Sequence, residues 1–200
     1  MCYNSRQSKK EWLDYAQTGD CFQASDRLDG PGDPDTGRGG FDNLRAKAAA
    51  GEGADAGLVI LAEQQTDGRG RRGRAWQSPA GENIYMTVLL RPDFEPEKAP
   101  MLTLLAACAA ARAVKSPGKR QPQIKWPNDL IINGKKICGI LTEMGMKGEC
   151  TEYVIVGIGI NCNQTDFPEE LRNRATSLKC EYGCEVCREE IVARFLEEFE

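Results

Sequence analysis

The dipeptide Asn133-Gly134 lies between two apolar runs, residues 130–132 and 136–144, and no other feature restricts the fold of this chain so sharply. Both residues tolerate the positive φ that a two-residue type I′ turn demands, so the runs are predicted to return on each other as an antiparallel hairpin. A short strand at 123–126 precedes it, and a Lys147-Gly148 turn leads into another strand at 153–160. Upstream, residues 83–91 alternate between two faces, with Ile84, Met86, Val88 and Leu90 on one and Tyr85, Thr87 and Leu89 on the other. This predicts a strand buried on both sides, and residues 58–62 predict another. Asn43 is placed to cap a helix running to Ala50, with Gly51 and Gly53 as stop signals. Residues 97–115 predict an Ala/Leu-rich core helix, with Glu97 in its first turn and Lys115 in its last. Residues 186–200 predict an acidic amphipathic helix whose apolar side chains are Ile191, Phe195, Leu196 and Phe199. Hairpins combined with separate helices give an α+β fold built on one central sheet.

A chain of 200 residues can bury roughly 70% of the surface its unfolded form exposes, enough for one domain with a core. The first forty residues stand apart. Residues 26–40 hold five Gly, four Asp and two Pro, with Leu28 the single apolar side chain, too little to offset their ordering entropy. Residues 1–40 are therefore expected to be tail and linker, with at most a frayed helix near 9–17, and residues 41–200 the domain. The longest apolar stretch, 102–114, is too short for a bilayer and is broken by Thr103 and Arg112. With no apolar leader near Met1, a cytoplasmic location is expected. Nine cysteines, an odd number and mostly scattered singly, are expected to be reduced thiols.

Composition removes several chemistries. Histidine is absent, which excludes Ser-His-Asp and Cys-His nucleophiles, His-ligated zinc and imidazole switching. A formal charge of -4 argues against a dedicated DNA binder, although a local basic patch remains open. Such a patch exists in Gly68-Arg69-Gly70-Arg71-Arg72-Gly73-Arg74, where glycines permit close backbone approach and guanidinium forks suit phosphate or carboxylate oxygens. It lies in a long loop, residues 63–82, between two buried strands, with Trp76 and Tyr85 as stacking candidates. A solvated loop or an Arg-Gly RNA contact is the alternative. Lys125, on a strand beside the Pro127 break, is either a fixed cation for a transferring phosphate or a surface lysine. Gly157 and Gly159 share one strand face, which points to close approach of a backbone or a planar group rather than to a dinucleotide fingerprint. Cys180, Cys184 and Cys187 have iron-sulfur spacing, but with no fourth thiolate or histidine nearby no protein-ligated metal is expected.

Taken in order, EQQTD before GRGRRGRAW, then SPAGENIYMTVLLRP, KWPNDLIINGKKICGILTEM and VIVGIGINCN resemble the catalytic domain of biotin protein ligases, from about Asn43 to Glu200. The resemblance implies an α+β fold with a central mixed, largely antiparallel sheet and flanking helices, of the class II aminoacyl-tRNA synthetase and biotin ligase type. It implies ATP, biotin and Mg²⁺ as reactants, biotinyl-5′-AMP as intermediate, and a lysine of a biotin carboxyl carrier domain as acceptor. By the family pattern Lys125 and Arg71 are catalytic. Asn43, Gln65, Arg69, Gly70, Arg71, Trp76 and Lys125 bind biotin or its adenylate, and Asn161 helps hold adenine. The family's Ser-Thr-Asn motif is met here only by Asn43, and Glu200 falls before the family's small C-terminal β-barrel. The front strand and that barrel are therefore expected to be missing, with impaired activity a consequence. No winged-helix segment precedes the domain, so neither DNA nor membrane is expected as a partner. A truncated inactive ligase and a non-catalytic polyanion or RNA module are the alternatives.

Overall fold

The computed structural model describes residues 42–200 and the two-residue strand β1, Arg38–Gly39. The expected helix near residues 9–17 and most of the expected tail lie outside the described residues. From residue 42 the order is α1 (Asp42–Gly51), β2 (Val59–Ala62), β3 (Gln64–Gln65), β4 (Ile84–Leu90), α2 (Ala99–Ala113), β5 (Gln123–Lys125), β6 (Asp129–Ile132), β7 (Lys135–Lys147), β8 (Cys150–Ile160), α3 (Leu178–Tyr182) and α4 (Arg188–Phe199). Six strands form one antiparallel sheet in the order β2-β4-β8-β7-β6-β5. The central sheet is thus purely antiparallel rather than mixed; the parallel β1–β3 pair is a separate two-stranded sheet, which places a strand at Arg38–Gly39 where linker was expected.

The hairpin turn has the predicted geometry, with Asn133 at φ 53° and Gly134 at φ 78°. β4 uses both its faces. Ile84, Met86 and Val88 enter the main core with Val154, Val156, Ile158 and Ile160 of β8, under the alanines of α2 and Ile191 and Phe195 of α4. Small side chains at 106, 107, 110 and 113, all buried, let α2 approach the sheet and α4 closely. On the opposite face Leu89 and Ile155 pack with Leu58, Ile60, Ala46 and Ala50 beneath α1. α1 covers only part of that face.

The start of α1 departs from the expected cap. The helix begins at Asp42, so Asn43 lies inside it. The Asn43 amide instead donates to Glu143 Oε2 at 2.8 Å and accepts from Thr87 Oγ1 at 2.8 Å, fastening α1 to β4 and β7. The other end of the helix is closed by Arg91, whose guanidinium donates to the carbonyls of Ala50 (2.8 Å), Ala54 (2.9 Å) and Glu152 (3.3 Å). Of these, only the Ala50 carbonyl belongs to the last turn of α1, where a helix leaves carbonyls without intrahelical donors; those of Ala54 and Glu152 lie in the following loop and on β8, so Arg91 ties the helix end to both.

Candidate functional site

Beside and beneath the start of α1, the second sheet face has a floor of three glycines. Gly139 and Gly159 stand opposite each other across β7 and β8, and Gly157 lies two residues back on β8. A Cβ on Gly159 would stand 2.6 Å from the Trp76 indole, one on Gly139 2.9 Å from the same ring, and one on Gly157 2.3 Å from Asn43 Oδ1. The planar group foreseen for Gly157 and Gly159 is thus found at Gly159 as a protein side chain. Above this floor is a cleft of about 430 Å³, counted out to its open mouth, and Gln65, Arg69, Gly70, Arg71 and Trp76 are in its wall.

The Arg-Gly loop folds back on itself. Arg69 bridges to Ala75, Gly70 N–H donates to the Arg74 carbonyl at 2.7 Å, and Trp76 N–H donates to that of Gly68 at 2.8 Å. At its tip, the 3-10 turn Arg71–Gly73, Arg72 and Gly73 have φ of 60° and 70°. Gly68 is required by closeness, since a Cβ there would stand 2.5 Å from the Trp76 carbonyl. Ser78 Oγ donates toward Gln65 Oε1 (3.2 Å) and the Trp76 carbonyl (3.3 Å), joining β3 to the base of the loop. Arg69 pairs with Asp67 (Nη2 to Oδ2, 2.5 Å). Arg71 Nη1 donates to Asn128 Oδ1 at 3.0 Å, and the Asn128 amide is itself held by the Ile140 carbonyl at 3.0 Å.

The remaining cation of the cleft is Lys136. Its Nζ is 2.7 Å from Asp129 Oδ1 and 5.1 Å from the centroid of a Trp76 ring. A register jump puts it there. The β6–β7 ladder passes from Leu130↔Cys138 to Ile131↔Lys136, which leaves Ile137 unpaired. In an unbroken strand Lys136 would share a face with Cys138, which is fully buried in the main core. The extra residue reverses that parity and brings Lys136 Nζ to the Gly139 side, within 2.8 Å of where a Cβ on that glycine would be.

A model described as the Biotin/lipoate A/B protein ligase family matches residues 47–161, more than half of the chain. The chain belongs to this family. It is 45% identical over 157 residues to the "Bifunctional ligase/repressor BirA" of Bacillus subtilis, an alignment covering 78% of this chain and 48% of that protein. It is 37% identical over 162 residues to the "Biotin--[acetyl-CoA-carboxylase] ligase" of Mycobacterium tuberculosis, covering 79% and 58%. Among solved structures it superposes on the Aquifex aeolicus biotin protein ligase in complex with biotin and ATP with a TM-score of 0.67 at 34% identity, covering 77% of this chain and 63% of that one. The chain spans about half the length of the curated relatives it matches. The antiparallel sheet with flanking helices is the fold these ligases share.

Within this ligase-family domain Asn43, Gln65, Arg69, Gly70, Arg71 and Trp76 come together on one cleft, and two expected members do not. Lys125 is exposed on the edge strand β5, outside the cleft wall. Asn161 is buried and outside it too, its amide donating to the Thr176 carbonyl at 3.0 Å. Asp42, Asn128, Lys136 and Gly139 line the cleft without having been foreseen. Adjacent apolar residues Ile137 and Cys138 are the one trace of the bulge that aims Lys136, since two buried neighbours break strict alternation. Cys180, Cys184 and Cys187 are exposed, and among the described residues no three His, Cys, Asp or Glu side chains are grouped to hold a metal ion. No helix among those residues is long and apolar enough to cross a membrane.

Proposed function

We propose that this chain is the catalytic domain of a biotin protein ligase, which activates biotin with ATP to biotinyl-5′-AMP and passes it to a lysine of a biotin carboxyl carrier domain in the cytoplasm. The observation that carries this reading is the convergence of Lys136, Arg71 and Arg69 on a cleft floored by glycine, where two anions must meet. In the first step a carboxylate oxygen of biotin attacks the α-phosphorus of ATP, a new O–P bond forms, the bond to the β-phosphate oxygen breaks, and pyrophosphate leaves. Both reactants are negative, so fixed cations that need not reorganise contribute most to lowering the barrier. Arg71 on its Asn128 anchor and Lys136 on the bulge are cations held in place in this way. In the second step an acceptor amine attacks the acyl carbon and AMP leaves, so this chain need supply neither a nucleophile nor a histidine. Mg²⁺ is proposed to enter with the nucleotide, on its phosphate oxygens.

On this reading the role first expected of Lys125 belongs to Lys136. The test is mass-spectrometric detection of biotinyl-adenylate from purified protein with biotin, ATP and Mg²⁺, beside Lys136→Ala and Lys125→Ala. Product from the parent and from Lys125→Ala, with at least a hundred-fold less from Lys136→Ala, is the expected result, at a loss of roughly 2.7 kcal/mol of transition-state stabilisation. Salt-sensitive RNA binding without adenylate from folded protein would replace the ligase reading with that of a polyanion module.

A further inference from the structure

Two cations of the cleft wall are held by neighbouring residues. Asp129 pairs with Lys136 at 2.7 Å, and Asn128 receives Arg71 Nη1 on its Oδ1 at 3.0 Å. The Asn128 end of the second contact is firmly placed. Its backbone carbonyl accepts from Ile140 N–H at 2.9 Å and its side-chain amide donates to the Ile140 carbonyl at 3.0 Å, so one residue of β7 grips it twice. With Nδ2 engaged by a carbonyl, which can only accept, the amide is fixed with Oδ1 turned to the guanidinium. The Arg71 end is the opposite. It is exposed at the tip of the Arg-Gly loop, on a turn whose backbone bonds, from Gly70 to Arg74 and from Arg74 to Arg71, stay inside the loop. Both partners line the cleft, so their bond joins the loop that leaves β3 to the turn between β5 and β6.

We propose that Asn128 is a positioning residue: by clasping Arg71 it holds the loop tip across the cleft and lengthens the time the acyl-adenylate stays bound. The inference rests on the reading of the cleft as the site of adenylate formation. A guanidinium has five N–H donors, and this bond uses one of them, which leaves the others for an anion beneath the loop. Asn128 carries no charge, so it orients the guanidinium without competing as an anion for it. A side chain already held has also lost most of the rotamer freedom that binding would otherwise remove.

The experiment forms biotinyl-adenylate on the protein from labelled biotin, ATP and Mg²⁺, adds a large excess of unlabelled biotin, and follows the retained label by rapid filtration. It compares the parent, Asn128→Ala, Arg71→Ala and the double variant. The half-life of the bound adenylate is expected to fall roughly ten-fold in Asn128→Ala, the scale of one hydrogen bond to a charged group. Once Arg71 is alanine, Asn128→Ala is expected to change nothing further. A residue that only braces the β5–β6 turn against β7 would shorten the half-life equally in both backgrounds. That result would overturn the inference, as would a half-life equal to the parent's. Arg71→Lys leaves the Asn128–Ile140 bonds untouched and keeps the positive charge, so it serves if Asn128→Ala does not fold. A comparable fall is expected there, because an ammonium lacks the fork that reaches Asn128 and an anion together, and parental retention would overturn the proposal. Folded parent that forms no adenylate would overturn this inference together with the ligase reading.

Discussion

Replacing Asp42 by Asn should make the folded protein more stable at neutral pH. Burial, partly offset by Arg45 and by hydrogen bonds, raises this carboxyl from its ordinary 3.8 to about 6. Between these values the folded chain holds a proton that the unfolded chain has released, so stability falls as pH rises through the interval and the loss is complete above about 6. At about 1.4 kcal/mol per pH unit the penalty at pH 7.5 is about 3 kcal/mol. Asparagine has nearly the same shape and no charge, and its amide needs an acceptor, so the gain should approach that figure from below. Urea unfolding followed by circular dichroism at about pH 7.5 and pH 4 would measure it, with equal slopes showing that the denatured state is unchanged. The midpoint of Asp42→Asn should lie well above the parent's at the higher pH and coincide with it at the lower. Equal midpoints at pH 7.5, or the same gain at both pH values, would refute the argument that an ionised, buried carboxylate is being held in the fold at a cost.

Three further outcomes follow from the geometry. Gly159→Ala should displace the Trp76 indole, because the new methyl would stand 2.6 Å from it; adenylate formation should fall more than ten-fold while the far-ultraviolet spectrum is kept, and normal turnover would show that the indole can be spared. Arg71→Gly should release the adenylate into solution, since it removes the cation tied to Asn128; retention equal to the parent's in a rapid-filtration assay would count against the loop's role. Arg91→Ala should cost about 1–3 kcal/mol in urea unfolding by stripping donors from three carbonyls around the end of α1, and a loss below about 0.5 kcal/mol would mean that water replaces them.

The parts of the fold that sequence made legible are those where one residue type answers one geometric need. Asn133 and Gly134 meet the positive φ of a tight hairpin, and β4 is a nearly unbroken apolar run because both its faces are buried. The pairing of Gly157 with Gly159 likewise signalled a close contact, found at Trp76 and Asn43. What stayed hidden depends on parity and on tertiary partners. Ile137 and Cys138 are both apolar and both buried, so period two cannot say which of the two preceding lysines, Lys135 or Lys136, crosses to the cleft. Lys125 was prominent because its motif is distinctive, yet β5 is the last strand of the sheet and leaves it in solvent. Asn43 has the composition of a cap, but Glu143, a hundred residues away, claims its amide.

The glycine floor has a consequence for how the molecule breathes. At Gly139, Gly157 and Gly159 the sheet carries no side chain of its own on that face, so two central strands are insulated there by whatever lies on top of them. Trp76 provides part of that cover from a loop that folds back on itself and reaches β3 and Asn128 through Ser78 and Arg71. A molecule seated in the cleft would then act as a missing piece of interior, and its arrival should slow amide hydrogen exchange at residues 157–160 by closing local openings that start from the loop.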